Sequence, residues 1–262
     1  MIFLLFSLII NFNYDQVLPS SPYPWTVQIC ALSSPVNTWE MYDSLYEKTE
    51  QPLFPFQVPG LLETKRIWRC CLGGYSSAEE ADVMVQYLKN NGFTALAKKM
   101  QGIILGATGE IDISDDEIQL QTGEIFPTDD RMQGYYNHHR AYLSPDMQWA
   151  ALIFSSGIGF ENEGESMVLA RISDGEERLV LISSEMINPL IWNMESDKPE
   201  IIVSTQCGGV GYGEIFLIEV ETGLITWQDK NISVYEVGEN FVKYYLIDPH
   251  TEMPLDSTGI GF

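Results

Sequence analysis

Catalysis needs titratable or nucleophilic side chains that the chain can bring together, and this sequence offers few. Its histidines are His138, His139 and His250. None sits where it would activate a serine or cysteine nucleophile. His138-His139 follows Tyr135-Tyr136-Asn137 in what reads as a loop, as a solvated pair or as a base or metal ligand. The cysteines Cys30, Cys70, Cys71 and Cys207 form no C-x-x-C pair, and vicinal Cys70-Cys71 in a strand points to opposite faces, where two thiols do not chelate one ion. Asp112, Asp115, Asp116 and Glu117 lack the glycine and terminal glutamate of a calcium loop. Gly157 to Gly164 precedes no helix and Cys207 to Gly213 lies between strands, so neither reads as a phosphate loop. No spacing of carboxylates argues for a glycan hydrolase. The expectation is a protein that is not an enzyme and carries no metal and no cofactor.

Charge divides the chain. Eight acidic residues face seven basic ones between Pro22 and Met100, but twenty-eight face seven from Gln101 onward. The acidic part repels phosphate backbones, which argues against nucleic acid and for cations or a basic protein partner. Alternatively, the acids simply keep a β-rich surface soluble. With 45% hydrophobic residues the chain can bury real cores, and disorder is not the default. Ile2 to Ile10 is too short an apolar run to span a bilayer and has the length of a secretory h-region. It lacks a basic n-region, since no Lys or Arg precedes Lys48, and no small-x-small cleavage site follows. No integral membrane span is expected.

The elements that would position a site follow from periodicity. Trp25-Thr-Val-Gln-Ile-Cys-Ala-Leu32 alternates as a strand, and Ser33-Ser34-Pro35 opens a helix carrying Trp39, Tyr42, Leu45 and Tyr46. Phe54 to Val58 and Ile67 to Leu72 are strands. Ser76 and Ser77 cap a second helix with Ala81, Val85 and Leu88 on its apolar stripe, stopped at Asn91-Gly92. Phe93 to Leu96 completes a β-α-β-β-α-β order, a two-layer sandwich.

Beyond Gln101 the sequence reads as short strands with Gly- or Asp-rich turns. Thr122-Gly123, Asp174-Gly175 and Thr222-Gly223 recur at intervals of 52 and 48 residues, each after a strand-like run. Ala141 to Phe154 is a hairpin turning at Pro145-Asp146, and Leu190 to Val203 is its counterpart. Four strands in about fifty residues suit a propeller blade, and the Ser-Pro-Asp hairpin resembles repeats of TolB-type propellers. An open stack or a small sandwich competes with a closed ring.

Two segments of the first part resemble the SPOR (sporulation-related repeat) family. Trp25-Thr-Val-Gln-Ile-Cys-Ala-Leu-Ser-Ser34 matches its opening strand. Trp68-Arg-Cys-Cys-Leu-Gly-Gly-Tyr-Ser-Ser-Ala-Glu-Glu-Ala81 matches its third strand and following helix. The resemblance covers residues 23–100 and implies binding of peptidoglycan glycan strands stripped of their stem peptides. It places Gln28 and Arg69 at the family's polar positions. Cys30 stands where Gly is usual and Gly74 where Pro is usual, and Ala31 and Ile67 replace a serine and a tryptophan that contact glycan in some members.

Strand parity agrees with an exposed sugar-binding face. Val27 and Ile29 share one face of the first strand, and Thr26, Gln28 and Cys30 the other. In the third strand Trp68, Cys70 and Leu72 would face the helices, leaving Ile67, Arg69 and Cys71 open. RNA-binding modules share the β-α-β-β-α-β order, but this face offers them no aromatic pair.

The expected fold class is thus α+β: a βαββαβ SPOR-like domain at 22–100, after a signal segment and linker at 1–21, then an acidic all-β propeller-like or sandwich domain at 101–262. The expected function is non-catalytic peptidoglycan binding in the cell envelope or periplasm, through Gln28, Arg69, Ile67, Thr26, Cys30 and Ala31, with the acidic domain contacting a protein partner. A protein-interaction scaffold without glycan binding, or a wall-targeted enzyme in the C-terminal part, are the alternatives.

Overall fold

The computed structural model describes residues 25–33, 40–41, 44–45, 47–49, 55–62, 65–100, 102–107, 109–114, 117–120, 125–127, 139–155, 165–183, 185–205 and 212–262. The expected signal segment, Thr122-Gly123, His138, the Gly157–Gly164 turn and most of the Cys207–Gly213 loop lie outside them.

The expected α+β class is corrected. The chain is mostly β and is built from antiparallel sheets, and its N-terminal part is not the expected SPOR-like α+β domain. Between the first two strands the described residues 40–41, 44–45 and 47–49 are all helical, where a helix was expected; Trp39, Tyr42 and Tyr46 lie outside the described residues. The second face of the N-terminal sheet is also not free, because it shares a core with the sheet behind it.

That first sheet has the order β2 (Pro55–Leu62), β3 (Lys65–Tyr75), β1 (Trp25–Leu32), β4 (Leu96–Lys99), all antiparallel. Helix α1 (Ala78–Asn90) covers one face with Ala81, Met84, Val85 and Leu88, packed on Val27, Ile29, Cys70 and Leu72. Its start follows from Ser77, whose hydroxyl accepts from the Glu80 backbone N–H at 3.2 Å, while the Glu80 carboxylate accepts from the Ser76 N–H at 3.0 Å. It ends where Gly92 takes φ +85°.

Behind this sheet stands a five-stranded one, β5 (Ile103–Ala107), β12 (Glu176–Ser183), β11 (Glu165–Arg171), β10 (Trp149–Ser155), β9 (His139–Leu143). Strands covered on both faces read as continuous apolar runs rather than alternating ones. Ala150 to Phe154 of β10 and Met167 to Ala170 of β11 are such runs, fully buried. One face, with Leu152, Phe154, Val168 and Leu179, shares a core with Trp68, Cys71, Met100, Leu105 and Ile118. The other, with Trp149, Ile153, Met167 and Leu169, packs on Ile201, Val203, Phe216 and Ile218 of the next sheet.

That third sheet runs β13 (Ile187–Asn193), β14 (Glu200–Thr205), β15 (Gly213–Glu219), β16 (Leu224–Val237), β17 (Phe241–Ile247), β18 (Pro254–Gly261) in sequence order. Its far side gathers Ile191, Ile202, Ile215, Ile232 and Tyr244. A small sheet of β6 (Asp112–Ile113), β7 (Glu117–Gln119) and β8 (Ile125–Pro127) supplies Ile118 to the shared core and leaves Asp112 and Glu117 outside.

Turn chemistry fixes the hairpins. At the β9–β10 turn, Ser144 donates its hydroxyl to Asp146 Oδ1 at 2.6 Å and accepts from the Trp149 N–H at 3.0 Å. Asp174-Gly175 and Thr222-Gly223 occupy equivalent places between β11 and β12 and between β15 and β16, with φ of +63° and +68° at the glycines. At Gly223 a Cβ would stand 2.8 Å from Val180 Cγ1, so both backbone and space demand glycine.

Candidate functional site

The sequence-derived site divides in two on the back face of the first sheet. Toward the shared core, Thr26 is completely buried and donates its hydroxyl to the Gly73 carbonyl at 2.7 Å. Cys71, placed on the open side by parity, is likewise completely buried, in the core with Met100 and Leu152, and burial pushes its thiol up to about 12. Neither offers atoms to a ligand. Trp68 does not join the helix-side core; its ring meets Phe154 edge-on, centroids 6.2 Å apart, in the core behind.

Cys30 departs for a different reason. A register shift between Gln28 and Cys30 breaks the alternation and pairs Cys30 with Cys70, whose thiol lies 2.8 Å away. Cys30 therefore packs beside the helix-side core instead of sharing a face with Gln28.

What remains on the face is Gln28, Arg69, Ile67 and Ala31. Gln28 pairs with Cys71, and Arg69 lies two residues along the same strand on the same side, paired with Ala31. Gln28, Ile67 and Arg69 are half-buried and Ala31 is exposed. Lys98 of β4 joins them from the other edge, its Nζ donating to Gln28 Oε1 at 3.4 Å. The strand periodicity did not single out this lysine. Its signal was available: β4 neighbours β1, and Lys98 pairs with Thr26, which has the parity of Gln28.

The electrostatics of this patch are cationic in a chain of net charge −23. Burial lowers the pKa of the Arg69 guanidinium, and burial first and then the Arg69 charge lower that of Lys98. Arg69 Nη1 is buried and has no hydrogen-bond partner among the described residues. A desolvated donor of this kind costs free energy, but it is closed to solvent, so a ligand would meet the patch through the half-buried Gln28 and Lys98 side chains and the rest of the guanidinium. With Lys98 and the Gln28 amide beside it, the patch can hold a carbonyl, hydroxyl or carboxylate oxygen.

A second polar group, unforeseen from the sequence, sits between the five- and six-stranded sheets. Arg140 Nη2 lies 2.7 Å from Glu165 Oε2 and donates to the Ile187 carbonyl at 3.0 Å, and Glu165 also accepts from the Ile187 N–H at 2.6 Å. Burial raises the Glu165 carboxyl despite the Arg140 charge. Glu214, nearly buried, pairs with Lys230 at 3.6 Å, and burial raises it to about 7. Each acid has a cation, which is the arrangement of a structural ion pair. His139 opens β9 at the same end of that sheet as Glu165, and no group of three metal-ligating side chains occurs among the described residues. No described helix is long and apolar enough to cross a membrane.

Compared with protein-family models, curated proteins and solved structures, the chain matches none.

Proposed function

We propose that the Gln28–Arg69–Lys98 face binds glycan strands of bacterial peptidoglycan, without catalysis, in the cell envelope. The observation that carries this is the gathering of half-buried Gln28, Arg69 and Lys98 beside an exposed Ala31 and a half-buried Ile67. N-acetyl and hydroxyl oxygens of a sugar would accept from the Gln28 amide and the cationic side chains, and a ring face would lie on the apolar atoms. The motif resemblance supplies the ligand class, and the cationic patch agrees with it, because strands stripped of stem peptides keep hydrogen-bond acceptors along their length.

The acidic C-terminal part is read as the contact for a basic protein partner. Support comes from its last strands, where Trp227, Tyr235, Tyr245 and Leu255 remain exposed and Tyr235 stacks on Tyr245 at 4.4 Å. Aromatic side chains of this kind concentrate at protein interfaces.

Sedimentation of the intact chain with sacculi freed of stem peptides tests the glycan reading. The chain should pellet with them, and Gln28→Ala should pellet less. A chain that stays in the supernatant would leave the interaction-scaffold reading in its place.

A further inference from the structure

Two of the cysteines are placed for chemistry with each other. Cys30 and Cys70 are directly paired across β1 and β3, and their Sγ atoms lie 2.8 Å apart. That is nearer than non-bonded sulfurs rest, yet longer than the bond of about 2.05 Å in a disulfide. Paired residues on adjacent antiparallel strands hold their Cα atoms about 4.5–5.5 Å apart, within the span of about 4.4–6.8 Å that a disulfide bridges. Without the register shift after Gln28, Cys30 would point to the opposite side of the sheet from Cys70.

Access is unequal in a useful way. Cys30 is half-exposed and Cys70 completely buried. The hydrogen bond with Cys70 draws the Cys30 thiol below its ordinary pKa, favouring the thiolate at the outer position. Cys71 faces the other core, and burial holds its thiol protonated.

We propose that Cys30 and Cys70 form a disulfide that staples β1 to β3 when the chain meets an oxidant carrying a disulfide. The Cys30 thiolate attacks one sulfur of the oxidant, giving a mixed disulfide and expelling one thiolate. Cys70 loses its proton to solvent and attacks the Cys30 sulfur, expelling the second thiolate. Two cysteine protons and two electrons leave, and the oxidant ends as two thiols. The staple closes a loop of about forty residues, which restricts the unfolded chain. It also holds the strands that carry Gln28 and Arg69, although the pair stands independently of what that face binds.

Reduced full-length protein, treated with oxidised glutathione and quenched with an alkylating reagent, gives the test. The intact mass should fall by two hydrogens, and peptide mapping should show Cys30 joined to Cys70, with Cys71 recovered as alkylated thiol after denaturation. In a buffer poised with glutathione the bonded form should exceed the dithiol, and its thermal midpoint should rise by several degrees and return on reduction. A Cys30→Ser chain should show neither change. The proposal is overturned if Cys30 stays a thiol, stops as a lasting glutathione adduct, or is joined to Cys71 or Cys207 instead. Mapping is done on the unaltered sequence, so a variant that misfolds does not blunt the test.

Discussion

Gln28 and Lys98 meet across seventy positions of sequence, the lysine Nζ donating to the glutamine Oε1 at 3.4 Å. The bond orients the amide so that its NH2 group faces away from Lys98, toward whatever lies on the sheet. Lys98→Ala should therefore weaken retention on stem-free peptidoglycan about tenfold, the loss of one charge-assisted contact of about 1.4 kcal/mol. Lys98→Arg should keep most of it. Equal retention of the alanine chain and the unaltered chain, measured by pelleting over a concentration series, would remove Lys98 from the site.

Trp68 links the two sheets through Phe154. Trp68→Ala should cost about 3–5 kcal/mol, since it deletes a large side chain from a packed core. Because that core belongs to both sheets, the unaltered chain should lose β1–β4 and β9–β12 in one urea transition, followed by two probes. Separate transitions would show that the N-terminal sheet folds independently.

Stability should fall as pH rises through the range set by Glu214. Its folded pKa, raised to about 7, exceeds that of an unfolded glutamate. The native chain therefore binds the extra proton between about pH 4.5 and 7. The contribution is fully present below the unfolded value and is lost as the carboxyl ionises in the fold. Glu165, raised by burial, acts in the same direction, while the Lys230 charge opposes the shift on Glu214 and Glu185 adds to it. Glu214→Gln should flatten the dependence of unfolding free energy on pH in that window. An unchanged slope would show that Glu214 is not the group responsible.

Glu165→Ala should destabilise by about 3–5 kcal/mol, because it strands Arg140, only 13% exposed, without its counter-charge between the sheets. Replacing both partners with apolar residues of similar volume should recover most of that loss. Chemical denaturation of the single and double variants checks both statements.

Local features were legible from the sequence because they follow from short-range chemistry. The Ser76-Ser77 cap, the Asn91-Gly92 stop and the Asp174-Gly175 and Thr222-Gly223 turns lie where spacing put them. Lys65–Tyr75 extends further at both ends than the expected strand from Ile67 to Leu72. What alternation could not show was the second layer behind the first sheet. Thr26 and Cys71 had the parity of an open face, but the partners that bury Cys71, such as Leu105 and Leu152, come from strands far along the chain. The slip that turns Cys30 toward Cys70 was equally hidden, since a bulge leaves no periodic trace. The α+β expectation failed on this long-range packing, which makes the chain mostly antiparallel β. The acidic half hid its ion pairs for the same reason: Glu165 and Arg140 are twenty-five positions apart and meet only once β9, β10 and β11 have paired.

In the proposed function a sugar strand lies on the face of Gln28, Arg69 and Lys98. The most direct measurement is a titration of isotope-labelled full-length protein with soluble, stem-free glycan oligomers, followed by nuclear magnetic resonance. The account expects saturable shifts centred on the Arg69 guanidinium and the Gln28 side-chain amide, extending to Ala31, Ile67 and Lys98, and abolished by Arg69→Ala in a chain that remains folded. Absence of shifts at millimolar oligomer, or shifts confined to β16–β18, would contradict it.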